Sequence, residues 1–315
     1  MRYSPPPSRF VLFLVAIFFA CPVGFAQTPN IDKVIRQAND GNQAARFNLG
    51  LYYQTGKGVQ QSFTEAAHWY QKAADAGFSA AQTNLGNLYL SGKGVPHDEA
   101  LAARWYLRAA VDGFAPAQTN LGMMWAEGRG ELKKDLTEAV QWYRRAADQH
   151  YAPAQSALAF MLLHGLGVQK DETAAAHLYQ AAAKQGLVAA EETLGWMYAH
   201  GVGLHQDYAE SVKWTKKAVE QKSASAMNNL AVAYEKGRGV PLDLSQAFEW
   251  YRRAVEAGSL EAQHNLAVMY NEGRLPKDNP EAARWMVKLQ GQGRGGSADS
   301  SAPEQLLPPP AGDHP

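Results

Sequence analysis

Leu85-Gly86-Asn87-Leu88-Tyr89-Leu90-Ser91-Gly92-Lys93-Gly94-Val95, with Ala81 one helical turn before its leucine, recurs with small changes along the whole middle of this 315-residue chain. The shared core is A-x-x-x-L-G/A, usually followed by x-x-Y. Its anchors are Gly50, Gly86, Gly122, Ala159, Gly195, Ala231 and Ala267, separated by 36, 36, 37, 36, 36 and 36 residues. A fixed period of this length marks a solenoid of stacked units, each too small to bury its own apolar face. Solenoids offer long surfaces to partners, and a groove by itself supplies no chemistry.

Each unit reads as two helices. In the second unit Ala81, Leu85, Gly86 and Tyr89 share one helical face. Gly92 and Gly94 stop that helix, because glycine tolerates the left-handed backbone of a helix end. Trp105, Tyr106, Ala109 and Ala110 then mark a second helix, which Gly113 ends. Its start carries capping chemistry, an acceptor side chain with Glu or Gln three residues later. The pairs are Ser62 with Glu65, Asp135 with Glu138, Asp207 with Glu210, Asp243 with Gln246 and Asp278 with Glu281. Capping explains the spacing of these acids better than catalytic or metal-binding carboxylates do.

Residue size repeats as well. Alanine holds positions 45, 81, 117, 154, 190, 226 and 262 of the first helices. The second helices supply bulk at Trp69, Trp105, Trp142, Leu178, Trp214, Trp250 and Trp285. Large against small is how stacked helices interdigitate. Met124, Met161, Met197 and Met269 read as core filler.

L-G-x-x-Y-x-x-G-x-G-V followed by A-x-x-W-Y-x-x-A-A-x-x-G resembles the Sel-one-like repeat, a relative of the tetratricopeptide repeat. The resemblance spans residues 43–290. It implies an all-α fold, a right-handed α/α solenoid of seven two-helix repeats used for protein–protein contact. Single units depart from the pattern at Trp125, Leu162 and Thr215, and the seventh lacks the second loop glycine at Gly273-Arg274-Leu275.

The ends differ from the array. Arg2 and Arg9 precede an apolar run from Phe10 to Ala20, and Gly24 and Ala26 suit signal-peptidase cleavage before Gln27. Residues 1–26 are therefore expected to be a signal peptide, and the mature chain periplasmic or secreted. The run is short for a membrane span. Ala20-Cys21 also resembles the end of a lipobox, although Phe18 and Phe19 fit one poorly. Membrane attachment follows only if Cys21 is lipidated. Ordinary cleavage removes Cys21, the single cysteine, and leaves no disulfide framework. It also leaves 28 basic against 30 acidic residues, a net charge of −2, which gives no footprint for nucleic acid. Residues 27–42 read as an N-terminal capping helix. The Gly-, Ser- and Pro-rich stretch 291–315 reads as a disordered tail.

No catalytic signature appears. H-E-x-x-H, G-x-S-x-G and S-x-x-K are all missing. Loops such as Gly56-Lys57-Gly58 lack the rest of a phosphate-binding pattern and read as helix terminators. No cofactor or metal is expected. His164 and His200 hold the same place in consecutive repeats, but a shared metal would need closer ligands and a third partner.

The residue after each anchor varies, so the repeat's own packing does not dictate it. It reads Leu51, Asn87, Met123, Phe160, Trp196, Val232 and Val268. The first helices of such arrays line the concave face, so large apolar groups here are candidates for a binding groove. The expected groove comprises Met123, Phe160, Trp196 and Val232, with His164 and His200 at its rim. The leading expectation is a non-catalytic scaffold that binds another protein. The alternatives are a peptidoglycan- or glycan-associated binding protein and a β-lactam-related hydrolase.

Overall fold

A computed structural model describes residues 30–274 of the chain. The expectations for residues 1–26, the Asp278 cap, Trp285 and the tail at 291–315 lie outside the described residues. Among those described there are fourteen helices and no strand. A lone helix, α1 (Ile31–Asn39), precedes six complete pairs. These are α2 (Gln43–Thr55) with α3 (Phe63–Asp75), α4 (Ser79–Ser91) with α5 (Glu99–Val111), and α6 (Ala115–Glu127) with α7 (Leu136–Ala147). Then come α8 (Ala152–His164) with α9 (Glu172–Lys184), α10 (Val188–His200) with α11 (Tyr208–Glu220), and α12 (Ala224–Lys236) with α13 (Leu244–Glu256). The first helix of the seventh unit, α14 (Leu260–Asn271), closes the described array. Each helix packs on its neighbours in sequence, as a one-dimensional stack requires.

The anchor glycine exists to admit a tyrosine. A Cβ at Gly50, Gly86 or Gly122 would lie 2.6, 2.6 or 2.8 Å from the ring of Tyr70, Tyr106 or Tyr143. Those rings, from the second helix of the same unit, are fully buried. The repeated alanines 81, 117, 154, 190, 226 and 262 are buried too, which lets the helices approach closely.

All six described second helices have a side-chain N-cap. Ser62, Asp98, Asp135, Asp171, Asp207 and Asp243 each accept from a backbone N–H in the first turn. The cap therefore extends to Asp98 and Asp171, which lack the Glu or Gln three residues on. The expected reciprocal half of the capping box is not what the cap residues use. Their own N–H groups donate instead to the carbonyls of Tyr53, Tyr89, Trp125, Leu162, Tyr198 and Tyr234 in the preceding helix. One residue thus ends the loop, starts the second helix and ties it to the first.

The double glycine does more than terminate. The first glycine is the left-handed C-cap, as at Gly92 (φ 65°) and Gly201 (φ 67°). The second lies against the preceding repeat. A Cβ at Gly94, Gly130, Gly167, Gly203 or Gly239 would overlap the backbone of Phe63, Glu99, Leu136, Glu172 or Tyr208. Each is the first residue of the previous unit's second helix. These glycines are inter-repeat contacts, which the reading as helix terminators did not contain.

The tryptophans also reach backward. Trp105 joins a cluster built from Phe47, Tyr70 and Leu85, while Trp142 joins one built from Tyr106, Leu121 and Met124. A cation from the next helical turn covers each ring. Lys72, Arg108, Arg145, Lys217 and Arg253 lie 4.4, 4.7, 4.5, 4.4 and 4.7 Å from the centroids of Trp69, Trp105, Trp142, Trp214 and Trp250. The fourth unit has Leu178 in this slot, and Ala181 where the cation would be. Ring and cation are absent together, as expected if the cation's role is to cover the ring.

Candidate functional site

Two layers of helices result, and they are not equivalent. Among first helices, α4 meets α6, α6 meets α8, and α12 meets α14. No pair of second helices comes together to the same extent. In these units the first helices therefore approach one another more closely than the second helices do.

The residue after each anchor lies on a first helix, and its fate differs between units. Leu51, Asn87, Met123 and Val232 are buried. Met123 belongs to the cluster of Leu121, Met124 and Trp142, and Val232 to that of Phe248, Tyr251 and Leu266. Both were expected on the groove surface. They are core residues instead, at 4 % exposure each, because in their units the neighbouring helices close over this position. Asn87 is spent internally, accepting from Tyr106 Oη at 2.6 Å and from Asn120 Nδ2 at 3.2 Å. Phe160 and Trp196 remain half-buried, packed by one side on the central cluster of Leu158, Met161, Leu194 and Met197. Val268, in α14, is also half-buried.

His164 and His200 are exposed and lie over these two rings. The His164 ring is 4.2 Å from that of Phe160, tilted by 34°. The His200 ring is stacked 4.7 Å from that of Trp196, at 28°. The cause is helical spacing, because residues four apart sit on one face. Each imidazole is fixed by its Nδ1, 3.0 Å from the Phe160 carbonyl and 2.9 Å from the Trp196 carbonyl. A carbonyl only accepts, so Nδ1 carries the hydrogen in both rings. The histidines are the last residues of α8 and α10. The structure thus sets the same aromatic–imidazole pair on two consecutive first helices.

One further group shares this stripe and escaped the sequence reading. Glu192 lies one turn before Trp196, half-buried. Its carboxylate accepts from Ser223 Oγ, the cap of α12. Burial pushes its carboxyl above the usual range, against the Ser223 hydrogen bond, and the neighbouring Glu191 pushes it further. The signal was present in the sequence. The equivalent residues are Phe47, Thr83, Thr119, Ser156, Asn228 and His264, so Glu192 is the one acid in the series.

Among the described residues no three His, Cys, Asp or Glu side chains gather as metal ligands do. None of the described helices is long and apolar enough to cross a membrane.

Helix pairs stacked in sequence, each with its second loop glycine against the preceding unit, define an α-solenoid. The chain belongs to the Sel1 repeat family, whose model matches residues 43–78, 79–113, 115–151, 152–187, 189–223, 224–259 and 260–289. Proteins of this family are generally protein-interaction scaffolds. The chain is similar to a protective antigen of uropathogenic Escherichia coli that displays an SLR fold, with 34% identity and a TM-score of 0.74. The match covers 84% of this chain and 57% of that one, so the chain spans little more than half of that protein's length. It is also similar to a Sel1 repeat protein from Oxalobacter formigenes, at 31% identity and a TM-score of 0.67, covering 82% and 99% of the two chains. No curated protein matches the chain.

Proposed function

We propose that this protein is an exported, non-catalytic scaffold that holds a protein partner on its inner face, at the fourth and fifth repeats. The observation that carries this reading is the pair of half-buried aromatic rings, Phe160 and Trp196, on consecutive first helices. Large aromatic rings that stay partly exposed at the edge of a packed cluster are common anchors of an interface. The neighbouring units bury or consume the same position, so the patch is local. The export part of the proposal rests on the basic start, the short apolar run and the small residues Gly24 and Ala26.

The test is capture with the mature chain from the native envelope, beside a Phe160→Ser, Trp196→Ser double variant. Neither ring occupies a repeated packing slot, so the variant should keep its helical circular dichroism and lose the partner. A folded double variant that binds with unchanged affinity rejects the inner-face site.

A further inference from the structure

We infer that the partner segment held at this site presents a basic side chain, arginine or lysine, to Glu192, with its apolar neighbours on Phe160 and Trp196. The inference rests on the inner-face reading above and adds the chemistry of the ligand.

The first argument is the state of the carboxylate. Glu192 is half-buried and accepts one hydrogen bond, from Ser223 Oγ. Among the described residues it forms no ion pair, and the adjoining Glu191 acts on it with a charge of like sign. Withdrawing a carboxylate from water is unfavourable unless a cation or several donors compensate it. At three other sites this chain supplies a cation. Glu99 faces Arg129, Glu249 faces Arg252, and the buried Glu235 is met by Arg274. Among the described residues Glu192 has no such cation, and the adjoining buried Glu191 is likewise met only by an amide, Gln221 Nε2.

The second argument is position. Glu192, Trp196 and His200 follow one another at intervals of four along α10, so they form one stripe. Phe160 and His164 form the matching stripe on α8, one repeat away. An arginine or lysine has an apolar stem and a charged head, which suits a surface that offers aromatic flanks beside a carboxylate. An acidic segment would bring like charge to Glu192. A purely apolar one would bury its charge further with no compensation.

The structural alternative is that Glu192 only orients the α12 cap. Ser223 Oγ donates to Glu192 and accepts from the Ala226 N–H. Glu192→Gln separates the two roles, because glutamine keeps an acceptor for Ser223 and loses the charge.

The experiment selects ligands from a random dodecapeptide phage library on the full chain. Selected peptides are then synthesised with arginine and with citrulline, its neutral near-isostere. Binding of both is measured to the unaltered protein, to E192Q and to the Phe160→Ser, Trp196→Ser variant. The expected result is enrichment of arginine or lysine among apolar residues. Citrulline and E192Q should each cost about tenfold or more in affinity, the scale of one charge-assisted pair. The melting temperature of E192Q should equal or exceed that of the unaltered chain. Peptides that need both aromatic residues but show no basic preference and ignore E192Q overturn this inference and leave the inner-face site standing. Peptides indifferent to all three substitutions overturn both. A selection that enriches no basic peptide, or none at all, counts against the inference, as does an E192Q chain that melts earlier with its arginine preference intact.

Discussion

Gly203→Ala is the substitution that most sharply tests how the array is held. Gly203 has φ +65°, and a Cβ there would lie under 3.0 Å from the Glu172 carbonyl, at the start of the preceding unit's second helix. Gly186 is the natural control. Its φ is +83°, yet a Cβ there would meet nothing within 4 Å. Both substitutions incur the left-handed penalty, about 1–2 kcal/mol for a residue with a Cβ. Gly203→Ala must also push backbone aside, and overpacking of this kind typically adds about 1–3 kcal/mol. The control is therefore expected to lose about 1–2 kcal/mol and Gly203→Ala about 2–5 kcal/mol in all. Urea unfolding followed by far-ultraviolet circular dichroism measures both, with midpoint and slope read separately because repeat arrays need not unfold as one unit. Hydrogen exchange should place the extra loss at the junction of the fourth and fifth units. That junction lies between the Phe160 and Trp196 stripes, so partner affinity should fall as well. Equal losses for the two alanines would refute the inter-repeat role of the second loop glycine and return it to a helix terminator.

Four further outcomes are expected. Trp105→Ala should cost about 3–5 kcal/mol, since Trp105 fills a buried inter-repeat slot. Trp196→Ala should cost clearly less, and equal shifts in melting temperature would place Trp196 in the core. Glu192 has a folded pKa raised by burial, so the native state holds its proton to higher pH than the unfolded chain does. Its contribution to stability is therefore full below the unfolded pKa and is lost as pH rises through the folded one. E192Q should flatten that part of the stability profile, with Glu191, shifted the same way, supplying the remainder. A stability profile that E192Q leaves unchanged contradicts this. The Phe160→Ser, Trp196→Ser variant should lose about 2 kcal/mol or more of partner binding per ring, read by titration calorimetry. N-terminal sequencing of the exported chain should begin at Gln27, and an acylated Cys21 would select the lipoprotein alternative.

The architecture was legible because the repeat supplies its own controls. Positions that stay constant over the units, such as the anchor, the alanine one turn earlier and the tryptophan slot, are those that packing dictates. Contacts between units were less legible. The second loop glycine and the backbone it meets are 31 residues apart, as Gly203 and Glu172 show, and nothing local announces their meeting. The capping boxes misled in one respect. Glu65 and Glu138 imply a reciprocal bond, but the cap N–H groups of Ser62 and Asp135 had a better acceptor in the preceding helix. Surface exposure at the candidate positions was legible only in part, for a similar reason. Variability after the anchor marks positions free of the repeat's own rules, which singles out Phe160 and Trp196. It does not say whether a neighbouring helix covers them, and Met123 and Val232 are covered. Glu192 was overlooked because an acid in a helix reads as solvent-facing until its surroundings are seen.

The most direct measurement of the central claim is photo-crosslinking in living cells. A benzoylphenylalanine is placed in turn at positions 160 and 196 on the inner layer, and at positions 107 and 144 on second helices, where Leu107 and Arg144 are exposed. The account predicts covalent adducts to one protein partner from positions 160 and 196, and none from 107 and 144. Adducts only from the second-helix positions would contradict it.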